Sequence, residues 1–403
     1  MVQMLYSFTM KKKSKYQFPW ESGNQFQLLP DGQQFFPEML QQINQAQHYI
    51  LMEMYLVASG RITSLFIDAL TAASKRGVRI YLLFDDFGSR DLNQIDRALL
   101  SANNMTLCFY NPFHYSRFTR SMLRDHRKIL VVDAQVAFVG GAGLIDEFDA
   151  TTFPDTYWRD NMLKITGSNV NQWQQLFLHT WQHWSTQKII LKTSAQHSAQ
   201  QSGRVTMTSG PNFQEIKRSF LNYVNQADQR VWFCTAYFIP TRKLVRALKK
   251  AVARGVDVRL LIPGPTIDHF FVRYMAQSYY TRLLKKGIRI FEYQPRFLHA
   301  KSILCDQWVS IGSCNLDRWE FLWNLDANQE VNHPLFSKQV KNMFLNDFSH
   351  SAEITLQKWK KISLMHRIKI YFYARAKFAI NHLLSTINIV KYWKSLHKAD
   401  KIS

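Results

Sequence analysis

One pattern of apolar and polar positions occurs twice along the chain. "YILMEMYLV" (Tyr49–Val57) and "VWFCTAYFIP" (Val231–Pro240) are short, nearly continuous apolar runs, which predict buried strands. Each is followed by a helix-like stretch, then Arg-Gly-Val and an alternating apolar run. These are "LTAASKRGVRIYLLFDD" (Leu70–Asp86) and "LKKAVARGVDVRLLIPG" (Leu248–Gly264). In both, the glycine (Gly77, Gly255) fits a helix C-cap ahead of a buried strand. A second helix and a further strand complete each repeat. Strands alternating with helices predict an α/β sandwich with a mostly parallel sheet in each half.

The final strand of each repeat carries chemistry. "DHRKILVVD" (Asp125–Asp133) and "LHAKSILCD" (Leu298–Asp306) both contain His-x-Lys-x4-Asp, and all three shared residues are displaced by 173 positions. Side chains alternate along a strand, so His126 and Lys128 project together, as do His299 and Lys301. Asp133 and Asp306 are an odd number of residues away and face the other side. An imidazole beside an ammonium suits a phosphoryl group, with lysine neutralising the oxygens and histidine near its neutral form. Two such strands about an approximate two-fold aim both histidines at one phosphate. One can attack as the other protonates the leaving oxygen.

Composition narrows the partner. The 403 residues suffice for two domains, and a formal net charge of +22 points to nucleic acid or an anionic membrane surface. Cys108, Cys234, Cys305 and Cys314 lack metal-like spacing and read as reduced thiols in a cytoplasmic setting. The N-terminal stretch lacks the order of a signal peptide, and no window reaches the roughly 18 apolar residues of a membrane span. The Ser/Gln/Thr-rich end of Ser185–Arg204 reads as a linker. The expected organisation is a basic extension (1–19), a first half (20–185), a linker (186–204), a second half (205–350) and a tail (351–403). "HTWQH" sets His179 and His183 one helical turn apart without an intervening glutamate. They read as the flank of a core helix built on Trp173, Phe177, Trp181 and Trp184, not as metal ligands.

The duplicated motif and its sequels "VGGAG" (Val139–Gly143) and "IGSCN" (Ile311–Asn315) resemble the phospholipase D superfamily. Longer segments extend the likeness to bacterial cardiolipin synthases, the cardiolipin synthase B type most closely, over roughly residues 20–350. Among them are "PDGQQFFPEMLQQINQAQHYILMEMYLV", "LLFDDFGSRDL", "FEYQPRFLHAKSILCD" and "IGSCNLDRWEFLWNLDAN". The resemblance implies two homologous α/β/α sandwich halves related by a pseudo-two-fold. It implies that His126 is the nucleophile, forming a phosphohistidine, and His299 the general acid that then acts as base. Lys128, Lys301, Asn315 and Ser313 would bind phosphate, with Asp133 and Asp306 completing the catalytic motif in a mainly structural role. Asp160 and Asp326 would orient the histidines, and neither metal nor cofactor is implied. The chain departs from the family in three places. Gly143 stands where an asparagine is usual, Asp326 where a glutamate is usual, and Asp306–Gly312 is one residue shorter than Asp133–Gly140.

From Lys358 to Ser403 there are eleven Lys or Arg against one acid, Asp400. Ile362, Met365, Ile368, Phe372, Ala376, Ala379, Leu383, Ile387 and Val390 form an imperfect helical stripe among them. Such a tail fits an anionic membrane interface, or a helix docked on the protein's own core, or both by different faces. The implied reaction is phosphatidyl transfer from phosphatidylglycerol to a second phospholipid with release of glycerol. Its partners are anionic phospholipids, cardiolipin included, not nucleic acid, met peripherally at the cytoplasmic face of a bacterial inner membrane. Hydrolysis to phosphatidate, a nuclease, and an inactive membrane scaffold are the alternatives. The acceptor lipid and the oligomeric state are not legible.

Overall fold

The computed structural model describes residues 16–113, 121–191, 199–210, 213–317 and 323–386. The lysine run Met10–Lys15 and the tail positions Ile387 and Val390 lie outside them. The first repeat comprises β1 (Glu21–Pro30), α1 (Gly32–Gln45), β2 (Tyr49–Met54), α2 (Arg61–Lys75), β3 (Arg79–Asp85), α3 (Gln94–Leu99), β4 (Met105–Tyr110), β5 (Arg124–Asp125), β6 (Lys128–Val132), β7 (Val136–Gly140), β8 (Asn161–Gly167) and α4 (Asn169–Trp184). The second comprises β9 (Gln201–Ser209), β10 (Phe213–Gln214), α5 (Glu215–Gln226), β11 (Arg230–Cys234), α6 (Arg242–Ala253), β12 (Asp257–Pro263), α7 (Phe270–Gln277), α8 (Tyr280–Leu284), β13 (Arg289–Tyr293), β14 (Ser302–Cys305), β15 (Trp308–Gly312), β16 (Asn324–Asn332) and α9 (Pro334–Ser349). Then follow β17 (Ser351–Ile354), α10 (Leu356–Lys360) and α11 (Leu364–Thr386).

The strands form one continuous sheet in the order β4-β3-β2-β6-β7-β8-β1-β9-β16-β15-β14-β11-β12-β13-β17. The expectation of mostly parallel sheets needs correcting. Among the described strands, parallel pairing is confined to β2-β3-β4, to β11-β12-β13 and to the short β5–β16 contact, with isolated parallel bridges at Val57–Leu144 and Arg159–Leu298. Each motif strand turns back through a tight hairpin, and a hairpin can only pair antiparallel. The one-residue difference between the repeats is absorbed here. The β6–β7 loop has three residues between Val132 and Val136, and β14–β15 has two between Cys305 and Trp308. Asp133 and Asp306 both take φ above +50° to make those turns.

Gly77 and Gly255 follow α2 and α6 with φ of +92° and +89°, a left-handed exit open to glycine. β2 and nearly all of β11 are buried on both faces, which is why they read as nearly continuous apolar runs. On β3, Ile80, Leu82 and Phe84 join a core with α1 and α2, whereas Tyr81 and Leu83 face a central core with α4 and α9. Trp173, Phe177 and Trp181 of α4 lie in that central core, beside Phe336, Val340 and Phe344 of α9. A third core covers α5 and α6.

Candidate active site

Register brings the two motifs to equivalent places. Met54, at the C-terminal end of β2, pairs with Lys128 at the start of β6, and Cys234 at the end of β11 pairs with Ser302 at the start of β14. The histidines therefore sit at the carboxyl edge of the parallel strands, where open α/β sheets generally bind ligands. The backbone amide of each histidine is taken by the other repeat. The His126 amide donates to the Leu325 carbonyl at 2.9 Å, and the His299 amide donates to the Arg159 carbonyl at 2.8 Å.

The side chains are held crosswise as well. His126 Nδ1 lies 2.9 Å from Asp326 Oδ1, and His299 Nδ1 lies 2.6 Å from Asp160 Oδ2. Each imidazole is thus clamped by the residue after the one that holds its amide, and that residue belongs to the other repeat. With Nδ1–H committed to a carboxylate, Nε2 of each ring carries the lone pair for phosphorus or a proton, and that of His299 faces the Lys301 ammonium. Lys128 Nζ donates to the His126 carbonyl at 2.6 Å, and Lys301 Nζ donates to the His299 carbonyl and sits 2.9 Å from His299 Nε2.

Both rings are buried, and burial together with the neighbouring lysines holds them neutral. His126 is pushed down to about 3 and His299 to about 4, against the pull of their carboxylates. Burial pushes Asp160 and Asp326 up, but the hydrogen bonds from the histidines and the nearby lysines outweigh it and keep both ionised. Apolar surface walls the site: Tyr55 packs edge-on to His126 at 4.8 Å, and Phe148, Trp158 and Phe297 surround His299 at 5.4–5.7 Å.

The third motif residues stand apart from this chemistry. The Asp133 carboxylate accepts from the amides of Gln47, His48 and Tyr49, and Asp306 accepts from those of Asp228, Gln229 and Arg230. Each ties the hairpin turn to the loop entering β2 or β11. Ser313 places its hydroxyl on Asp326 at 2.7 Å. Asn315 Oδ1 lies 3.2 Å from Thr235 Oγ1, which also takes the Leu316 amide.

The first repeat has neither arrangement. Gly141 replaces Ser313, and a Cβ there would lie 2.4 Å from Asp160 Oδ2. By register Met54 replaces Thr235. The Leu144 amide reaches the Leu56 carbonyl directly at 2.9 Å, so a Cβ on Gly143 would meet that oxygen at 2.3 Å. The missing asparagine is the product of a closer backbone.

Three residues of evident weight went unassigned in the sequence reading. Glu53, fully buried on β2, and Asp125 both face Arg127 Nε at 3.2 Å. A glutamate inside an apolar strand was the signal that could have found them. His179 and His183 hold one another, His183 Nδ1 lying 2.6 Å from the His179 carbonyl. No cluster of metal-ligating side chains occurs among the described residues.

A family model described as "Cardiolipin synthase, PLD-like domain" matches residues 39–181 and 220–348. The chain is 32% identical over 357 residues to a cardiolipin synthase of Clostridium perfringens (strain SM101 / Type A), covering 86% of this chain and 75% of that one. It is 29% identical over 356 residues to a cardiolipin synthase of Staphylococcus aureus (strain Mu50 / ATCC 700699), covering 86% and 72%. Its fold is similar to that of a phosphatidylserine synthase from Haemophilus influenzae Rd KW20, with a TM-score of 0.69 at 13% identity over 89% of this chain and 94% of that one.

Proposed function

We propose a phosphatidyl-transfer reaction, from the premise that this chain belongs to the cardiolipin synthase family with phospholipase D-like domains. The observation that carries it is the crosswise pair of buried histidines, each with Nδ1 on a carboxylate of the other repeat and a motif lysine beside it. In this reading His126 Nε2 attacks the phosphorus of phosphatidylglycerol. The P–O bond to glycerol breaks, and His299 Nε2 gives its proton to the departing oxygen. The hydroxyl of a second phospholipid then gives its proton to His299 and attacks phosphorus, breaking the P–N bond. Lys128 and Lys301 supply the cationic charge for the phosphate oxygens, with Asn315 beside them. Since both histidines rest neutral, His299 takes its proton from solvent as the anionic substrate binds, because that charge favours the imidazolium. The aromatic wall about His299 supports transfer over hydrolysis, because it limits the water that would yield phosphatidate.

The enzyme would meet its lipids peripherally, at the cytoplasmic face of a bacterial inner membrane. No described helix is long and apolar enough to cross a membrane. The tail serves two masters, by different faces. His366 bonds Gln277, and Tyr373 stacks on Tyr274 of α7, so one face docks on the protein. Leu364, Met365, Ile368, Tyr371 and Phe372 point outward with more than half their surface exposed, interleaved with Arg367, Lys369 and Arg375. Basic groups at such a surface contribute about 1 kcal/mol each on anionic lipid. The sequence places the two halves at 20–185 and 205–350, their link at 186–204 and the tail at 351–403; β9 begins at Gln201 and β17 (Ser351–Ile354) pairs with β13, so we assign 201–354 to the second half and the tail from 355 onward.

The test is purified protein on phosphatidylglycerol liposomes, wild type beside His126→Ala, with cardiolipin, phosphatidate and glycerol quantified by mass spectrometry. Cardiolipin with matching glycerol, lost in the variant, is the expected result. Phosphatidate with glycerol would make it a hydrolase, and no turnover would refute the donor.

A further inference from the structure

Phenylalanine is a core residue, so rings that folding leaves in water mark a surface with a use. Outside the tail, the aromatic side chains exposed among the described residues are Phe87, Phe113, Phe153, Phe270 and Phe271, with 37–61% of their surface open. Each lies in a connection that leaves the carboxyl end of a strand running with the parallel trio of its half. Phe87 follows β3, Phe113 follows β4, Phe153 lies between β7 and β8, and Phe270 and Phe271 open α7 after β12. That is the edge on which the histidines sit, and the loops reach them through their neighbours. Gly88, next to Phe87, packs against Tyr55, the ring that meets His126 edge-on. On the other side of Phe87, Asp86 takes the Phe113 amide at 3.0 Å. Phe153 lies in the turn between Phe148 and Trp158, both of which pack on His299. In the second half Phe271 stacks on His269 at 5.6 Å and His269 on Tyr237 at 6.2 Å. The Tyr237 carbonyl takes the Thr235 hydroxyl, which also lies 3.2 Å from Asn315 Oδ1.

We propose that these five rings form a rim around the mouth of the active site, and that the rim seats in the anionic bilayer that holds the substrates. Charge and continuity favour lipid over a protein partner. Arg90 lies over the Phe87 ring at 4.9 Å, and the Phe270 ring meets Tyr373 of α11 at 6.0 Å. The rim thereby continues into the exposed face of α11, where Arg367, Lys369 and Arg375 stand among apolar side chains. Half-open rings beside cations suit the headgroup boundary, where the rings bury and the cations meet anionic lipid. Seated in this way, the mouth is applied to the membrane instead of being held near it by the tail alone. A lipid enters headgroup first while its acyl chains stay in the bilayer, and the ring of contact keeps bulk water from the phosphohistidine.

The inference rests on the phosphatidyl-transfer reading for what passes through the mouth, and two measurements separate them. Wild type is bound to phosphatidylglycerol vesicles doped with a phosphatidylcholine that carries a diazirine in its acyl chain, irradiated, and the modified peptides are located by mass spectrometry. The expected map has label at Phe87, Phe153 and Phe270–Phe271 as well as on α11. Leu335, exposed at the opposite edge where β16 ends, should stay unlabelled. Label confined to α11, or absent, overturns the proposal whatever the enzyme does to lipid. A rim covered by a second copy would give that same map together with a dimer in sedimentation. The second measurement takes Phe87→Ser, Phe153→Ser, Phe270→Ser and Phe271→Ser together, on vesicles and on short-chain phosphatidylglycerol below its micelle concentration. Turnover on vesicles should fall about ten-fold or more while turnover of monomeric lipid is unchanged, and Leu335→Ser should alter neither. An equal fall on both forms, or none on vesicles, overturns the rim. Should wild type turn over neither form, the transfer reading fails and the lipid map, which needs no variant, still decides the rim.

Discussion

Installing the family's asparagine at position 143 should weaken the protein rather than improve it. In Gly143→Asn the new Cβ would begin 2.3 Å from the Leu56 carbonyl oxygen and 2.9 Å from Leu56 Cβ, and both close contacts belong to a strand exit rather than a flexible side-chain tip. Relieving the first contact to an ordinary 3.4 Å separation requires a movement of about 1 Å. That movement breaks the Leu144 amide to Leu56 carbonyl bond at 2.9 Å, in a buried place. Overpacking costs about 1–3 kcal/mol and a stranded buried backbone pair about 1–3 kcal/mol more. Against a total stability of about 5–15 kcal/mol, a loss of about 2–6 kcal/mol is severe. Urea denaturation of wild type and variant should show a lower midpoint at unchanged slope. Adding Met54→Thr supplies the hydroxyl that in the second repeat stands between Leu316 and the Tyr237 carbonyl. The double variant should recover part of the loss. A single variant within about 0.5 kcal/mol of wild type would refute the reasoning.

Other outcomes follow from the same geometry. Asp326→Asn and Asp160→Asn replace charge-assisted bonds to His126 and His299 with neutral ones; steady-state kinetics should show kcat down about ten-fold or more with KM little changed. Acid should destabilise the fold through both histidines, whose depressed values mean that the unfolded chain binds more protons below about pH 6.5. Their contribution is largest above that pH and falls as pH drops toward 4. Burial raises Asp85 and Glu215 to about 7, with the opposite sign, so the measurement is the difference in unfolding midpoint between wild type and His126→Gln/His299→Gln across pH 4–8. Gly77→Ala meets no atom within 4 Å but keeps φ at +92°, so thermal denaturation should register only the left-handed backbone cost, about 1–2 kcal/mol.

The sequence made the duplication legible because it repeats at every level: buried strand, glycine-capped helix, then the histidine motif. Strand parity set Asp133 and Asp306 away from the reacting face, but the reason is different: they stand past the strand ends, in hairpin turns at positive φ, where they hold loop amides. The resemblance implied Asp160 and Asp326 as the acids that orient the histidines, but which holds which was out of reach, because the pairs lie 200 and 139 positions apart and depend on how one repeat meets the other. Antiparallel hairpins were missed because strands buried on both faces lose the alternation that would separate them from a parallel run. The glycine at position 143 has its cause in the Leu56 carbonyl beside it, far away in the chain, where no local pattern connects the two.

The continuous ladder also bears on how two bulky lipids could reach one site. From Leu325↔Ser209 to Asn332↔Ser202 the halves are laced together, and β1 extends the seam. A clamshell motion would have to unzip buried backbone pairs along that seam and pull each imidazole off its carboxylate in the same stroke. Traffic must instead pass over the loops at the carboxyl edge of the parallel strands, without any hinge between the halves. Glycerol then has to leave by the door through which the second lipid enters, so crowding at that door, more than any opening of the body, would govern the order of events.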